Sequence, residues 1–202
     1  MIQDTNTIEI IRIKVIIDKW DDKHIYTKQL QEEKKSLKNI QNPTSMLIAM
    51  PNKWQKAELI VQKLSEIGIQ NIYFRPSERS VIKTKNTNKR LRLEKIAKEA
   101  VEQSRWWMIP NIQFVDQLNI FLKQQQDVNL VLFDLDANQH TPLENTNIPK
   151  KCLGIIWPEG GFSDRDLQLF QHYHKPLSFQ LWDTVLRMET ASIIASWLLY
   201  NR

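Results

Sequence analysis

The spacing of apolar residues predicts a change of architecture near Pro43. Before it, apolar and polar positions alternate in two runs within residues 8–30, on either side of the polar turn WDDK. Such alternation is typical of two strands joined by a turn. The residues that follow, 31–43, are polar, which favours a linker. We therefore expect a small β unit in residues 1–42 and a separate domain in residues 43–202.

The second domain alternates short apolar runs with helical stripes. The run MLIAM is typical of a buried strand, whereas apolar residues three or four apart after Pro51 indicate a helix that ends at Gly68. Strands alternating with helices in this way predict an α/β fold with a parallel sheet covered on both faces. The predicted strands are 46–50, 70–74, 111–115, 129–135, 152–157 and 177–181, and the predicted helices are 52–67, 88–104, 117–125, 163–172 and 188–200.

Two loops follow strands of this predicted sheet and carry unusual residues. WPEGGFSD follows the strand at 152–157, and WDTVLRMET follows the strand at 177–181. Ligands of open parallel sheets bind outside the carboxyl ends of the strands. The two loops are therefore the candidate site.

The first loop holds two of the chain's four glycines, Gly160 and Gly161. Glycine permits positive φ and close approach of a ligand to the backbone. Ser163 is a favourable N-cap for the next helix, and Asp166 completes a short-armed capping box. An ordinary tight turn stays open as an alternative. A phosphate site is disfavoured, because no phosphate-binding glycine pattern is present and Glu159 would repel an anion; a neutral or cationic ligand fits better.

The second loop places Arg187 and Glu189 at the start of the last helix. A carboxylate is stabilised near a helix N-terminus. Arg187 has two open interpretations: it pairs with an acid, or it faces a substrate oxygen that gains charge during a reaction.

Charge and composition narrow the class of protein. The 202 residues carry a net charge of +5, and residues 75–105 hold ten Lys/Arg against four Glu. Such a basic segment is expected of a nucleic-acid partner, although a solvated helix face explains it as well. No apolar run approaches the roughly 18 to 20 residues of a membrane span. The single cysteine, Cys152, and the lack of a signal peptide at the start predict a cytoplasmic protein.

Five motifs in order resemble one enzyme family. They are QKLSEIG at 62–68, SERSV at 77–81, EAVEQS at 99–104, PEGGFS at 158–163 and LRMETA at 186–191. Over residues 45 to 200 the chain resembles the 16S rRNA uridine N3-methyltransferases (RsmE-type), a group of the SPOUT knotted methyltransferases. The resemblance implies a C-terminal trefoil knot, a PUA-like β-barrel before it, bound S-adenosylmethionine, a homodimer and 16S rRNA of the small ribosomal subunit as partner.

The resemblance also assigns roles to residues, and none to a metal. It implies catalytic roles for Arg187 and Glu189. The implied cofactor contacts are Ile156, Trp157, Glu159, Gly160, Gly161, Leu181, Trp182, Val185, Leu186 and Thr190. The implied RNA contacts, all within the basic segment, are Arg75, Arg79, Lys83, Lys85 and Arg105.

The chain departs from the family at several positions. Trp157 and Trp182 stand where the family has glycine, and Thr184 stands where it has arginine. An indole in a cofactor loop could stack on adenine or fill the pocket. The β unit is also shorter than the family's barrel, so we expect a truncated remnant. These departures leave an alternative open: a degenerate knot-fold RNA-binding protein without cofactor or catalysis.

Another tryptophan departure lies beside the basic segment. Trp106 stands where the family has an arginine, and Trp107 follows it. These two indoles either stack on RNA bases or pack against the barrel or a dimer partner.

Overall fold

The computed structural model describes residues 9–36, 44–76, 87–133, 148–156, 163–173, 176–181 and 184–201. The chain divides into two compact units, one up to Gln41 and one from Asn42 onward. Within the described residues, each unit has its own sheet.

The first unit contains an antiparallel hairpin. Strand β1 spans Glu9–Trp20 and strand β2 spans Ile25–Ser36. The two predicted strands are thus confirmed, but the predicted linker is wrong for residues 31–36, because β2 continues through them. Asp21 closes the turn, since its Oδ1 accepts hydrogen bonds from the amides of Lys23 and His24 at 2.9 and 2.8 Å. These two bonds hold the pKa of Asp21 below its usual value.

The second unit is built on a parallel sheet in the order β5-β4-β3-β7-β6-β8. Every described pairing within it is parallel. The parallel α/β fold predicted from the sequence is therefore confirmed. The strands are β3 (Thr44–Ala49), β4 (Asn71–Arg75), β5 (Asn111–Phe114), β6 (Asn129–Phe133), β7 (Cys152–Ile156) and β8 (Leu177–Phe179).

Helices cover both faces of this sheet. They are α1 (Trp54–Ile67), α2 (Thr87–Ser104), α3 (Leu118–Gln124), α4 (Asp164–Tyr173) and α5 (Met188–Tyr200). One face packs against α1, α2 and α5, and the other against α3 and α4. Side chains of β3 alternate between the faces as strand geometry requires: Met46 and Ile48 join the first core, and Leu47 joins the second.

Gly154 lets α5 lie close to the centre of the sheet. A Cβ atom at this position would lie 2.6 Å from both Leu199 Cδ1 and Met46 Sδ. A larger side chain would therefore require the ends of the Leu199 and Met46 side chains to move. The glycine in the middle of β7 is thus a packing requirement of the α5 face.

Gly68 ends α1 in the left-handed conformation, with φ at 94°. Its amide donates to the carbonyls of Leu64 and Ser65, as in a glycine C-cap. The indole of Trp106 lies against it, and Trp106 also meets Tyr200 edge to face at 5.8 Å. Trp106 thus packs inside its own unit, at the C-terminal ends of α1 and α5, a contact that neither interpretation offered from the sequence includes.

We expect Gly68→Ala to destabilise the fold by about 2 to 4 kcal/mol. The new Cβ would meet the Trp106 ring at 2.5 Å and would also force an alanine into positive φ. Urea denaturation followed by circular dichroism measures the change in midpoint. Gln62→Ala, at an exposed position of the same helix, serves as the control. Equal midpoints for the two variants would contradict this account of Gly68.

Candidate functional site

Three neighbouring strands end together at one edge of the parallel sheet. Ile156 of β7 is in register with Phe133 of β6, which is in register with Phe179 of β8. The two candidate loops therefore start at the same edge, about 10 Å apart across β6. We call this the carboxyl edge. The expectation that both loops lie at the carboxyl ends of strands is confirmed.

Several predicted site residues lie outside the described part of the chain. In the loops these are Trp157, Glu159, Gly160, Gly161 and Trp182, and in the basic segment Arg79, Lys83 and Lys85. Ser163, at the end of the first loop, is described. Its Oγ accepts a hydrogen bond from the Asp166 amide at 3.2 Å, so the predicted N-cap of α4 is confirmed. The carboxylate of Asp166, however, meets an arginine from another element.

That arginine is Arg75, the last residue of β4. Its Nη1 donates to the carbonyls of Asp116 and Val115 at 2.7 and 3.4 Å, and its Nη2 donates to Asp166 Oδ1 at 3.5 Å. Both side chains of this ion pair are largely buried. Arg75 thus connects β4, the end of β5 and the first turn of α4 at the carboxyl edge. Contact of Arg75 with RNA remains a prediction.

Glu189 lies in the first turn of α5, as the sequence predicted, and pairs with Lys56 of α1. The distance between Lys56 Nζ and Glu189 Oε2 is 3.3 Å. Partial burial alone would raise the pKa of Glu189. The Glu189 backbone amide and the charges of Lys56 and Arg187 outweigh that effect and hold the pKa below its usual value. Glu189 is therefore an ionised carboxylate at neutral pH.

The residues before Glu189 are more open. Arg187 is the exposed N-cap residue of α5, and among the described residues no ion pair with it is recorded. Val185 is 78% exposed, which is unusual for an apolar side chain beside a sheet. Leu181 is half-buried against the core and Thr190 is exposed. This side of the carboxyl edge thus offers a cation and apolar side chains to a ligand.

Arg105 lies at the opposite edge of the sheet. It follows α2 with φ at 57°, and Trp106 beside it packs on the C-terminal ends of α1 and α5. Helices that connect parallel strands run antiparallel to them, so their C-terminal ends lie at the amino edge of the sheet. The structure therefore places Arg105 and Arg75 at opposite edges of the sheet.

Much of the basic charge of α2 is balanced by its own acids. Arg90, Lys95 and Lys98 each pair with the glutamate four residues later, and Arg92 binds Glu58 of α1 with two nitrogens. The solvated-face interpretation therefore accounts for a large part of this helix. The Arg92–Glu58 contact was not predicted, because it joins helices far apart in sequence.

Comparison with known families decides which group the chain belongs to. A family model described as RNA methyltransferase domain matches residues 38–199. The chain belongs to this family. The match includes the parallel sheet and both candidate loops, so the resemblance drawn from the sequence motifs is confirmed.

Relatives within the RNA methyltransferase family carry a more specific name. A ribosomal RNA small subunit methyltransferase E from Bacillus subtilis is 30% identical over 154 residues, which cover 71% of this chain and 60% of that protein. A protein of the same name from Rickettsia conorii is 34% identical over 111 residues, covering 52% of this chain and 43% of that protein. The chain thus spans about half of the length of these curated relatives.

Solved structures show the same fold. A Legionella pneumophila protein, solved in complex with the cofactor SAM, has a TM-score of 0.75 and 26% identity, with 94% of this chain and 78% of that chain covered. Ribosomal RNA small subunit methyltransferase E from Neisseria gonorrhoeae has a TM-score of 0.71 and 19% identity, with 94% and 80% covered. The second likeness concerns the fold alone.

The described ranges contain neither a membrane-spanning helix nor a cluster of metal-binding side chains. None of the helices found there is long and apolar enough to cross a membrane. Nor do the side chains described form a group of three or more His, Cys, Asp or Glu able to hold a metal ion.

We expect the stabilising effect of Glu189 to depend on pH. Its folded-state pKa is lowered, so its contribution is fully present above the pKa of the unfolded chain and is lost as pH falls through the folded value. Glu189→Gln should therefore cost roughly 1 kcal/mol near neutral pH, and this cost should shrink as pH falls through the folded-state pKa of Glu189. Urea denaturation of the wild-type protein and the variant measures the difference in their free energies of unfolding at each pH. The titration of the other carboxyl groups cancels in this difference. A difference that stays constant with pH would contradict this assignment.

Proposed function

We propose that the chain is an S-adenosylmethionine-dependent methyltransferase that modifies N3 of a uridine in 16S rRNA of the small ribosomal subunit. One observation carries the proposal: in this member of the RNA methyltransferase family, the strands that precede the PEGGFS and LRMETA segments end at one edge of the parallel sheet. The names of its relatives support the substrate, and the Legionella complex supports the cofactor.

The described residues at the carboxyl edge suit such a cofactor. S-adenosylmethionine combines a sulfonium cation with an apolar thioether chain and an adenine. Val185 and Leu186 would contact apolar parts of it, and the Lys56–Glu189 pair lies beside them at the start of α5. The sequence of the first candidate loop also holds Glu159, whose carboxylate would favour a cationic ligand over a phosphate. When bound, the cofactor supplies a methyl group bonded to a positively charged sulfur.

Arg187 would stabilise the base during the reaction. Uracil N3 carries a proton at neutral pH, and this proton must pass to solvent water before the nitrogen can form a bond to carbon. Negative charge then develops on the two uracil oxygens. Arg187 is the exposed N-cap residue of α5 at the carboxyl edge. Its guanidinium can therefore donate hydrogen bonds to these negatively charged oxygens.

The target base has to leave its stack to reach the carboxyl edge. Basic residues of the segment 75–105 would hold the RNA backbone. Since Arg105 lies at the amino edge, it contacts the same RNA only if that RNA extends along the full length of α2. The trefoil knot, the PUA-like remnant around the hairpin and the cytoplasmic location complete the proposal as features implied by the family.

The proposal includes a homodimer formed through α5. Trp197 on this helix is 56% exposed, and it borders an apolar hollow of about 340 Å³ between α1 and α5. Ile67, Ile193 and Ile194 line the same hollow. An isologous interface places the same patch of both subunits face to face, so a tryptophan beside an apolar hollow supports a second copy as the partner.

We expect S-adenosylmethionine to bind saturably in isothermal titration, and methyl groups to appear in small ribosomal subunits that lack the modification. Arg187→Ala should lower kcat about 10²- to 10³-fold, because a charge stabiliser of the transition state is lost, with a smaller effect on cofactor affinity. Lys123→Ala, an exposed cation of α3, is the control. If RNA binds but the cofactor does not, the chain is the degenerate RNA-binding protein instead.

We expect Trp197→Lys to convert a dimer into a monomer. The wild-type protein should show twice the 24.0 kDa chain mass in light scattering coupled to size-exclusion chromatography. A lysine at the centre of the contact would remain buried without a partner. Ile120→Lys, on the opposite face of the sheet and also exposed, should leave the mass unchanged. A monomeric wild-type protein would refute the dimer.

A further inference from the structure

Two ion pairs at the carboxyl edge share an arrangement. Asp166 lies in the first turn of α4 and pairs with Arg75 of β4, and Glu189 lies in the first turn of α5 and pairs with Lys56 of α1. Each of these helices directly follows one candidate loop. The acid of each pair therefore belongs to the helix start at which a candidate loop ends.

The burial of the two pairs is also similar. The side chains of Arg75 and Asp166 are 18% and 17% exposed, and those of Lys56 and Glu189 are 22% and 14% exposed. Charges shielded from water to this extent interact more strongly than fully exposed pairs and are less screened by salt. These contacts hold one geometry better than the exposed pairs on α2 do.

Arg75 is fixed from three sides. Its hydrogen bonds to the carbonyls of Val115 and Asp116 orient the guanidinium before it reaches Asp166. Because this planar guanidinium belongs to β4 and is hydrogen-bonded to the end of β5, it holds the first turn of α4 at a fixed position relative to both strands. The same contacts limit its freedom to turn toward a phosphate.

We propose that Arg75 with Asp166 and Lys56 with Glu189 are positioning pairs, which fix the ends of the two cofactor loops by holding the first turns of α4 and α5. This rests on the function proposed above. It assigns Arg75 and Glu189 to the placement of the loops rather than to RNA contact and to chemistry. Such placement lowers the ordering cost of binding the cofactor.

The test compares acid-to-amide variants of matched burial. Asp166→Asn and Glu189→Gln each remove one anchor. Glu58→Gln is the control, because Glu58 is also 17% exposed and also pairs with an arginine, but on the outer surface of α1 and α2. Arg75→Met removes the basic residue of the Arg75–Asp166 pair. If Arg75→Met does not fold, Arg75→Lys takes its place in the test.

We expect the anchor variants to weaken cofactor binding roughly three- to tenfold in isothermal titration, with kcat changed less than twofold. The double variant Arg75→Met/Asp166→Asn should bind the cofactor no more weakly than Arg75→Met does, because the single variant has already lost the Arg75–Asp166 contact. Hydrogen exchange should rise in peptides that cover the starts of α4 and α5, and Glu58→Gln should change neither measurement.

RNA binding separates this proposal from the phosphate-contact interpretation of Arg75. As a positioning residue, Arg75 can be replaced by methionine without changing the salt dependence of RNA affinity. A lost phosphate contact would instead reduce the slope of log affinity against log salt by about one, in Arg75→Met but not in Asp166→Asn. That result would overturn the proposal for Arg75.

The remaining outcomes are equally decisive. A loss of kcat in Glu189→Gln with unchanged cofactor affinity would make Glu189 catalytic and overturn its positioning role. Anchor variants that behave like Glu58→Gln in both titration and exchange would overturn the whole proposal. If the wild-type protein binds no S-adenosylmethionine, the proposed function fails, and hydrogen exchange alone then decides whether the anchors hold the helix starts.

Discussion

The pairing of β3 with β7 at the centre of the sheet is the contact on which the second unit depends. It joins residues 44–48 to residues 152–156 in parallel register, and the remaining strands are added outward on either side. Gly154 lies in this ladder and allows α5 to approach it. Because the paired segments are distant in sequence, chain entropy opposes the contact until much of the domain has formed. Both anchored helix starts meet at the carboxyl edge only once this ladder is in place.

Features set by neighbouring residues could be predicted from the sequence. The strands and helices of the second unit follow from apolar periodicity, and the end of α1 at Gly68 and the cap of α4 at Ser163 follow from residues within one turn. The parallel sheet follows from the alternation of these elements. For the same reason the carboxyl edge, where the two candidate loops begin, could be located without a structure.

Features set by distant residues could not be predicted. Asp166 was expected to complete a local capping box, but it binds an arginine 91 residues away. Trp106 was interpreted as an exposed or interface indole, since no local pattern shows that it meets Gly68 and Tyr200. The position of Arg105 at the amino edge depends on which way α2 runs past the sheet. Each of these features depends on tertiary packing, which a local pattern does not show.

The length of α2 has a consequence for how such a protein can evolve. This helix carries the chain from the carboxyl edge, where the loops lie, to the amino edge, where Arg105 lies. Residues at the far end can change without disturbing the groups at the carboxyl edge. The helix thus works as a spacer between the two edges of the sheet, so the surface at one edge can change in sequence while the surface at the other stays the same.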